Sequence, residues 1–146
     1  MTPDQLHMAR ALELARFQYG RTGKNPAVGC VIIDRDGRRI SEAATGDEGR
    51  PHAEQLALKH LSQGAAAGGT AYVTLEPCHE RSTGEASCSA RLIEAGIVRV
   101  VVATRDKHPQ GDCGLSRLRE AGIRIETGLS EADALALYED FFAELD

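Results

Sequence analysis

A chain of 146 residues, 42% hydrophobic and 27% charged, has the size and composition of one globular domain with a real core. A formal net charge of −5 and an aromatic content of 4% leave neither a basic stripe nor a stacking platform, so no nucleic-acid partner is expected. Apolar runs fall short of the roughly 18 residues of a membrane span. The N-terminal segment shows helical periodicity instead of the apolar centre of a secretory signal, so the expected location is cytoplasmic.

In chain order, "TPDQ" opens a helix with Thr2 as cap, Pro3 at its first position and Gln5 completing a capping box. An apolar stripe of Leu6, Ala9, Leu12 and Ala15 carries that helix to about Tyr19. "GRTGKNPAVG" is a loop, "AVGCVIID" a buried strand, and "RDG" the turn into a second strand, "RRISEAA". After the loop "TGDEGR" comes an amphipathic helix running from His52 to about Gln63, its packing side made of Leu56, Ala57, Leu58 and Leu61. "GAAAGG" is a linker, "TAYVTLE" a strand, "PCHERSTGEAS" an irregular loop and "CSARLIEAG" a short helix. "IVRVVVATRD" is a strong strand, "KHPQGDCG" a loop, "LSRLREAG" a helix, "IRIETG" the last strand, and "SEADALALYEDFFAELD" a capped C-terminal helix. The order α β β α β α β α β α, with a hairpin first and alternation afterwards, predicts an α/β fold. Its sheet is mixed and five-stranded with helices on both faces, a three-layer α/β/α sandwich over a single domain, residues 1–146.

Three segments carry chemistry: "HAE" at 52–54, "EPC" at 76–78, and Cys88. Cys78 follows a strand, and Cys88 starts a helix after a Ser87 cap, where the helix dipole favours a thiolate. One imidazole, from His52, and two thiolates, from Cys78 and Cys88, make three protein ligands for Zn²⁺ with a fourth position open for water, the pattern of a catalytic site. Glu54 is not needed as a ligand and stands where a proton shuttle belongs. This equipment suits hydrolytic deamination: a metal-activated water attacks the carbon bearing the exocyclic amine, and Glu54 passes protons to the ring nitrogen and the departing ammonia. Zinc nucleobase deaminases share the pattern H-x-E…P-C-x-x-C; here nine residues instead of two separate the cysteines. Among the other candidates, Cys30 in a buried strand reads as a small hydrophobe, Cys113 as a loop residue outside the ligand set, and His7 and His60 as surface residues. His79 is a weaker alternative to Cys88 as ligand. Glu76 either is structural or orients the site.

"MARALELA", "NPAVGCVII", "PHAEQLAL", "AYVTLEPC", "LIEAGIVRVVVATRD" and "GLSRLREAGIRIETGL" together span nearly the whole chain, and through them it resembles the cytidine deaminase-like superfamily. Within that superfamily it is most similar to the deaminase domain of riboflavin-biosynthesis deaminase/reductase proteins, which act on diaminohydroxyphosphoribosylaminopyrimidine. The resemblance implies zinc on His52, Cys78 and Cys88, Glu54 as the proton shuttle, Asn25 on the substrate, the α/β/α sandwich and a homo-oligomer. The family's cysteine loop reads like "PCSHxGRTPPC", whereas this chain has "PCHERSTGEASC". The family's "DPNP" is "DKHP" here, a histidine usual before "HAE" is replaced near Thr45, and no reductase segment is present, so a separate reductase is a candidate partner. Arg50, Arg81, Lys107 and His108 are candidates for the phosphate of the substrate and equally plausible as solvated loop charges. Alternatives are deamination of another free base, nucleoside or amino-heterocycle, and a zinc-stabilised binding module without catalysis. A nucleic-acid editor is disfavoured by the acidic charge.

Overall fold

The computed structural model describes residues 1–23, 25–76, 88–105 and 113–143, without the side chains of 113, 114 and 140–143. Its elements are α1 (Pro3–Gln18), β1 (Gly29–Ile33), β2 (Arg39–Ala44), a 3₁₀ turn (Asp47–Gly49), α2 (Ala53–Lys59), β3 (Thr70–Leu75), α3 (Cys88–Glu94), β4 (Arg99–Thr104), α4 (Cys113–Glu120), β5 (Arg124–Thr127) and α5 (Glu131–Ala143). This is the expected succession. The five strands lie in the order β2-β1-β3-β4-β5. β1 is antiparallel to both β2 and β3, while β3–β4 and β4–β5 are parallel. The sheet is mixed, as expected, because only helical crossovers join its later strands.

Strand alternation divides the core between two faces. Cys30 and Ile32 of β1, Val73 of β3, and Val100 and Val102 of β4 pack with Ala57 of α2, Leu92 of α3 and Leu118 of α4. On the other face Val31, Tyr72, Val101 and Ala103 meet Met8, Ala11 and Leu12 of α1 and Ala134 and Tyr138 of α5.

α1 begins as expected, with Gln5 donating its backbone N–H to Thr2 Oγ1 and Thr2 donating to Gln5 Oε1. Its buried stripe is Met8, Ala11, Leu12 and Ala15, however, while Ala9 is exposed and Leu6 is 52% exposed. A spacing of three residues drifts around a 3.6-residue helix, whereas the 8/11/12/15 spacing stays on one face. α2 also ends sooner than expected, at Lys59: His60 caps it, and Leu61 N–H bonds back to Leu58 O in a tightened last turn. α4 starts earlier than expected and takes Cys113 as its first residue, so that position is helical and not part of a loop. His60 is exposed as expected, but His7 is half-buried, its ring 5.0 Å from that of Tyr72 and Nδ1 bonded to Arg39.

The two ends of the sheet differ. At one end, tight connections knit the strands by backbone bonds: Asp34 N–H to Arg38 O, Val98 N–H to Gly69 O, and Arg124 N–H to Val98 O. A Cβ on Gly69 would lie 2.2 Å from Ile33 O, so only glycine allows that approach. At the other end lie the entry to β1, the exits of β2, β3 and β4, and the segment leading into α2. This is the crevice outside the carboxyl ends of parallel strands where α/β sheets place their ligands.

Candidate active site

His52 is the N-cap of α2, with extended backbone (φ −69, ψ 155), and its side chain does not cap the helix. The imidazole turns toward the start of α3 instead. Cys88 is the first residue of α3 and is fully buried. The two helix starts converge so that His52 Nδ1 lies 3.3 Å from Cys88 Sγ. Two bonds to one tetrahedral zinc, about 2.1 Å from nitrogen and about 2.3 Å from sulfur, would set such a pair roughly 3.6 Å apart, so the pair fits the ion. The donor set is also right in kind, since a thiolate at a helix N-terminus and a neutral imidazole are both preferred zinc ligands. Among the described residues no third His, Cys, Asp or Glu joins them. Cys78, the third expected ligand, lies outside the described residues, as do His79 and the Ser87 cap.

Glu54 sits in the first turn of α2 and is 4% exposed. Cys30 lies close by on β1. Its burial first, and then the negative charge of Glu54, push the Cys30 thiol well above its usual range. Cys30 therefore stays a neutral, apolar filler beneath the site, as its strand position suggests.

Asn25 is held in place by its own loop and by the segment before α2. Its Nδ2 donates to Gly49 O at 3.0 Å, its N–H bonds to Thr22 O, and its carbonyl accepts from Thr22 Oγ1 at 2.6 Å. Gly49 has φ +95, and a Cβ there would lie 2.6 Å from Asn25 Nδ2. One N–H of the amide is thus engaged by the protein, and the amide oxygen can accept from a donor on a ligand. Thr45 is buried, and Val28 N–H donates to its Oγ1 at 2.9 Å. It ties the Asn25 loop to the end of β2.

Glu76 follows β3, with its side chain fully buried, and accepts from Arg105 Nε at 3.4 Å. Arg105 was not picked out from the sequence, because a basic residue at the end of a strand carries no local signal. Only the parallel pairing of β3 with β4, which also bonds Glu76 N–H to Thr104 O, brings the two together. Arg50 is exposed on the segment before α2. Arg81, Lys107 and His108 lie outside the described residues. Among the expected site residues the structure therefore brings His52, Glu54, Asn25 and Cys88 to one end of the sheet.

The profile of the family described as the cytidine and deoxycytidylate deaminase zinc-binding region matches residues 1–104. The chain is 43% identical over 143 residues to the riboflavin biosynthesis protein RibD of Escherichia coli, covering 97% of this chain and 38% of that protein. It is 37% identical to the diaminohydroxyphosphoribosylamino-pyrimidine deaminase of Buchnera aphidicola, over 97% of this chain and 95% of that one. Among solved structures, the diaminohydroxyphosphoribosylaminopyrimidine deaminase/5-amino-6-(5-phosphoribosylamino)uracil reductase of Thermotoga maritima superposes with a TM-score of 0.90 at 34% identity, over 98% of this chain and 41% of that one. The chain thus spans about two fifths of the length of the RibD-type relatives it matches. With the mixed five-stranded sandwich and the paired His52 and Cys88 already in view, the conclusion is that the chain belongs to the family of the cytidine and deoxycytidylate deaminase zinc-binding region.

Proposed function

We propose that this chain is a single zinc-dependent domain, residues 1–146, that hydrolytically deaminates an aminopyrimidine, and that its substrate is diaminohydroxyphosphoribosylaminopyrimidine in riboflavin biosynthesis. The observation that carries the reading is the 3.3 Å approach of His52 Nδ1 to Cys88 Sγ with the buried carboxyl of Glu54 on the same first turn as His52. The relatives with the names above support the choice of substrate.

His52, Cys78 and Cys88 would hold a zinc ion, which when bound would supply Lewis acidity and make water a better nucleophile. Glu54 accepts a proton from the attacking water and returns it to the ring nitrogen next to the amine-bearing carbon. A second proton passes through Glu54 to the exocyclic amine, the C–N bond breaks, and ammonia leaves as the carbon keeps the water oxygen. Asn25 Oδ1 takes a hydrogen bond from the substrate, and Arg81, Lys107 and His108 are the candidates to bind its phosphate. A homo-oligomer is the assembly that the resemblance favours. A cytoplasmic setting fits this chemistry, and among the described residues no helix is long and apolar enough to cross a membrane.

The test is ammonia release by the zinc-loaded protein on diaminohydroxyphosphoribosylaminopyrimidine beside its dephosphorylated form, cytidine and guanine. Turnover on the phosphorylated compound, with Glu54→Gln keeping its zinc and losing about 10²–10⁴-fold in kcat, is the expected outcome. Undiminished ammonia release in Glu54→Gln would remove the shuttle, and preference for an unphosphorylated amine would remove the substrate assignment.

A further inference from the structure

We propose that Tyr138, on α5, is a positioning residue of the active site whose hydroxyl holds the Asn25 loop against the end of β3; the proposal rests on the deaminase reading above. Tyr138 is far in sequence from every residue so far placed at the site, and it is 2% exposed. Its hydroxyl donates to Ala27 O at 2.7 Å and lies 2.6 Å from Thr74 Oγ1. Thr74 Oγ1 accepts from Gly29 N–H at 3.0 Å.

Counting protons fixes the direction of this chain. A tyrosine hydroxyl has one proton, which goes to the Ala27 carbonyl, so Thr74 donates its own proton to the tyrosine oxygen. The series runs from Gly29 N–H through Thr74 and Tyr138 to Ala27 C=O, each donor pointing the same way, an arrangement in which neighbouring bonds strengthen one another. It begins and ends on the entry to β1 and passes through Thr74 near the end of β3. Ala27 stands just beyond Asn25, and Thr74 just before Glu76 and the cysteine-bearing segment. To the direct bond between Gly29 and Thr74, Tyr138 adds a tether that reaches Ala27, next to the substrate-facing loop. Packing alone does not call for this: the ring is already buried on the α1–α5 face, and a phenylalanine would fill the same volume.

Tyr138→Phe keeps the ring and removes the tether. In the zinc-loaded protein, KM for diaminohydroxyphosphoribosylaminopyrimidine is expected to rise about three- to tenfold, the effect of one lost hydrogen bond, with kcat within about twofold of wild type. Zinc per chain should be unchanged, and the amides of residues 27–29 should exchange with deuterium faster than in wild type. Thr74→Val should repeat the pattern, and Thr74→Ser, which keeps the hydroxyl, should behave as wild type. Unchanged KM together with unchanged protection at 27–29, even with a lower melting temperature, would reduce Tyr138 to a packing residue and overturn the proposal. If the wild-type protein does not deaminate this compound, the deaminase reading fails on its own. The exchange comparison then still decides whether Tyr138 holds residues 27–29.

Discussion

At the scale of single residues, the site depends on Gly49 as much as on the groups that carry chemistry. Its positive φ is costly for any L side chain, and its missing Cβ leaves the space that Asn25 Nδ2 occupies. Gly49→Ala is expected to lose about 1–3 kcal/mol of stability, read by urea denaturation, from backbone strain and the displaced amide. KM should rise with it, since Asn25 can no longer keep its bond to Gly49 O. The residues that could be found from sequence share one property, which is that they lie in a short pattern whose spacing has chemical meaning. His52 and Glu54 stand two apart at a helix start, and Cys88 opens the next helix. Arg105, Gly49 and Tyr138 offered no such pattern. Each acquires its role from a partner distant in sequence, Glu76, Asn25 and Ala27 respectively, and pairings of that kind exist only once the strands have been brought into register.

At the scale of elements, α1 shows what periodicity gives and where it misleads. Its start was legible because capping is a local interaction between Thr2 and Gln5. Its buried face was not, because Leu6 and Ala9 seemed to extend a stripe whose spacing does not match the helix. What docks the start of α1 is a polar cluster: Asp4 accepts from Arg99 of β4 at 2.6 Å and from the Tyr72 hydroxyl of β3 at 2.5 Å, and Arg99 also pairs with Glu126 of β5. The Arg99 bond, then the Tyr72 bond, hold the Asp4 carboxyl at about 2, below its ordinary 3.8. Burial first, and Asp4 second, push the Tyr72 hydroxyl up to about 12. A lowered carboxyl pKa stabilises the fold above the unfolded value, and that contribution is lost as pH falls through the folded value. Asp4→Asn should therefore cost about 1 kcal/mol at pH 7, allowing for the one-third exposure of the side chain, and the gap from wild type should close as pH falls from about 4 to about 2. Urea melts of both proteins at the two pH limits check this.

At the scale of the whole molecule, the sandwich and the site have separate supports. Both faces of the sheet are closed by apolar helix packing that, among the described residues, includes neither His52 nor Cys88, the two proposed ligands at the starts of α2 and α3. Removing the ion with a chelator is therefore expected to abolish ammonia release and leave the far-UV circular dichroism native. The melting temperature should fall only by the linkage term of a bound ion, and added zinc should restore both quantities. Extensive loss of secondary structure on chelation would show instead that the metal holds the two helix starts in place. The order of strands and helices was legible in advance because a hairpin followed by alternating helices leaves few right-handed solutions. The boundaries of α2 and α4 were not, since caps and tightened turns decide them.

The knitted end of the sheet has a consequence for how such a protein can change. Its connections are short, bonded backbone to backbone, and at Gly69 closed to any side chain. Every segment that bears on the proposed chemistry leaves from the opposite end. Inheritance of the fold and choice of substrate are thus written in different places along the same chain. In a library of random variants, losses of expression should cluster at the knitted end, and altered preference among amines at the open one. Loops at the open end can be rewritten without renegotiating the frame that carries them.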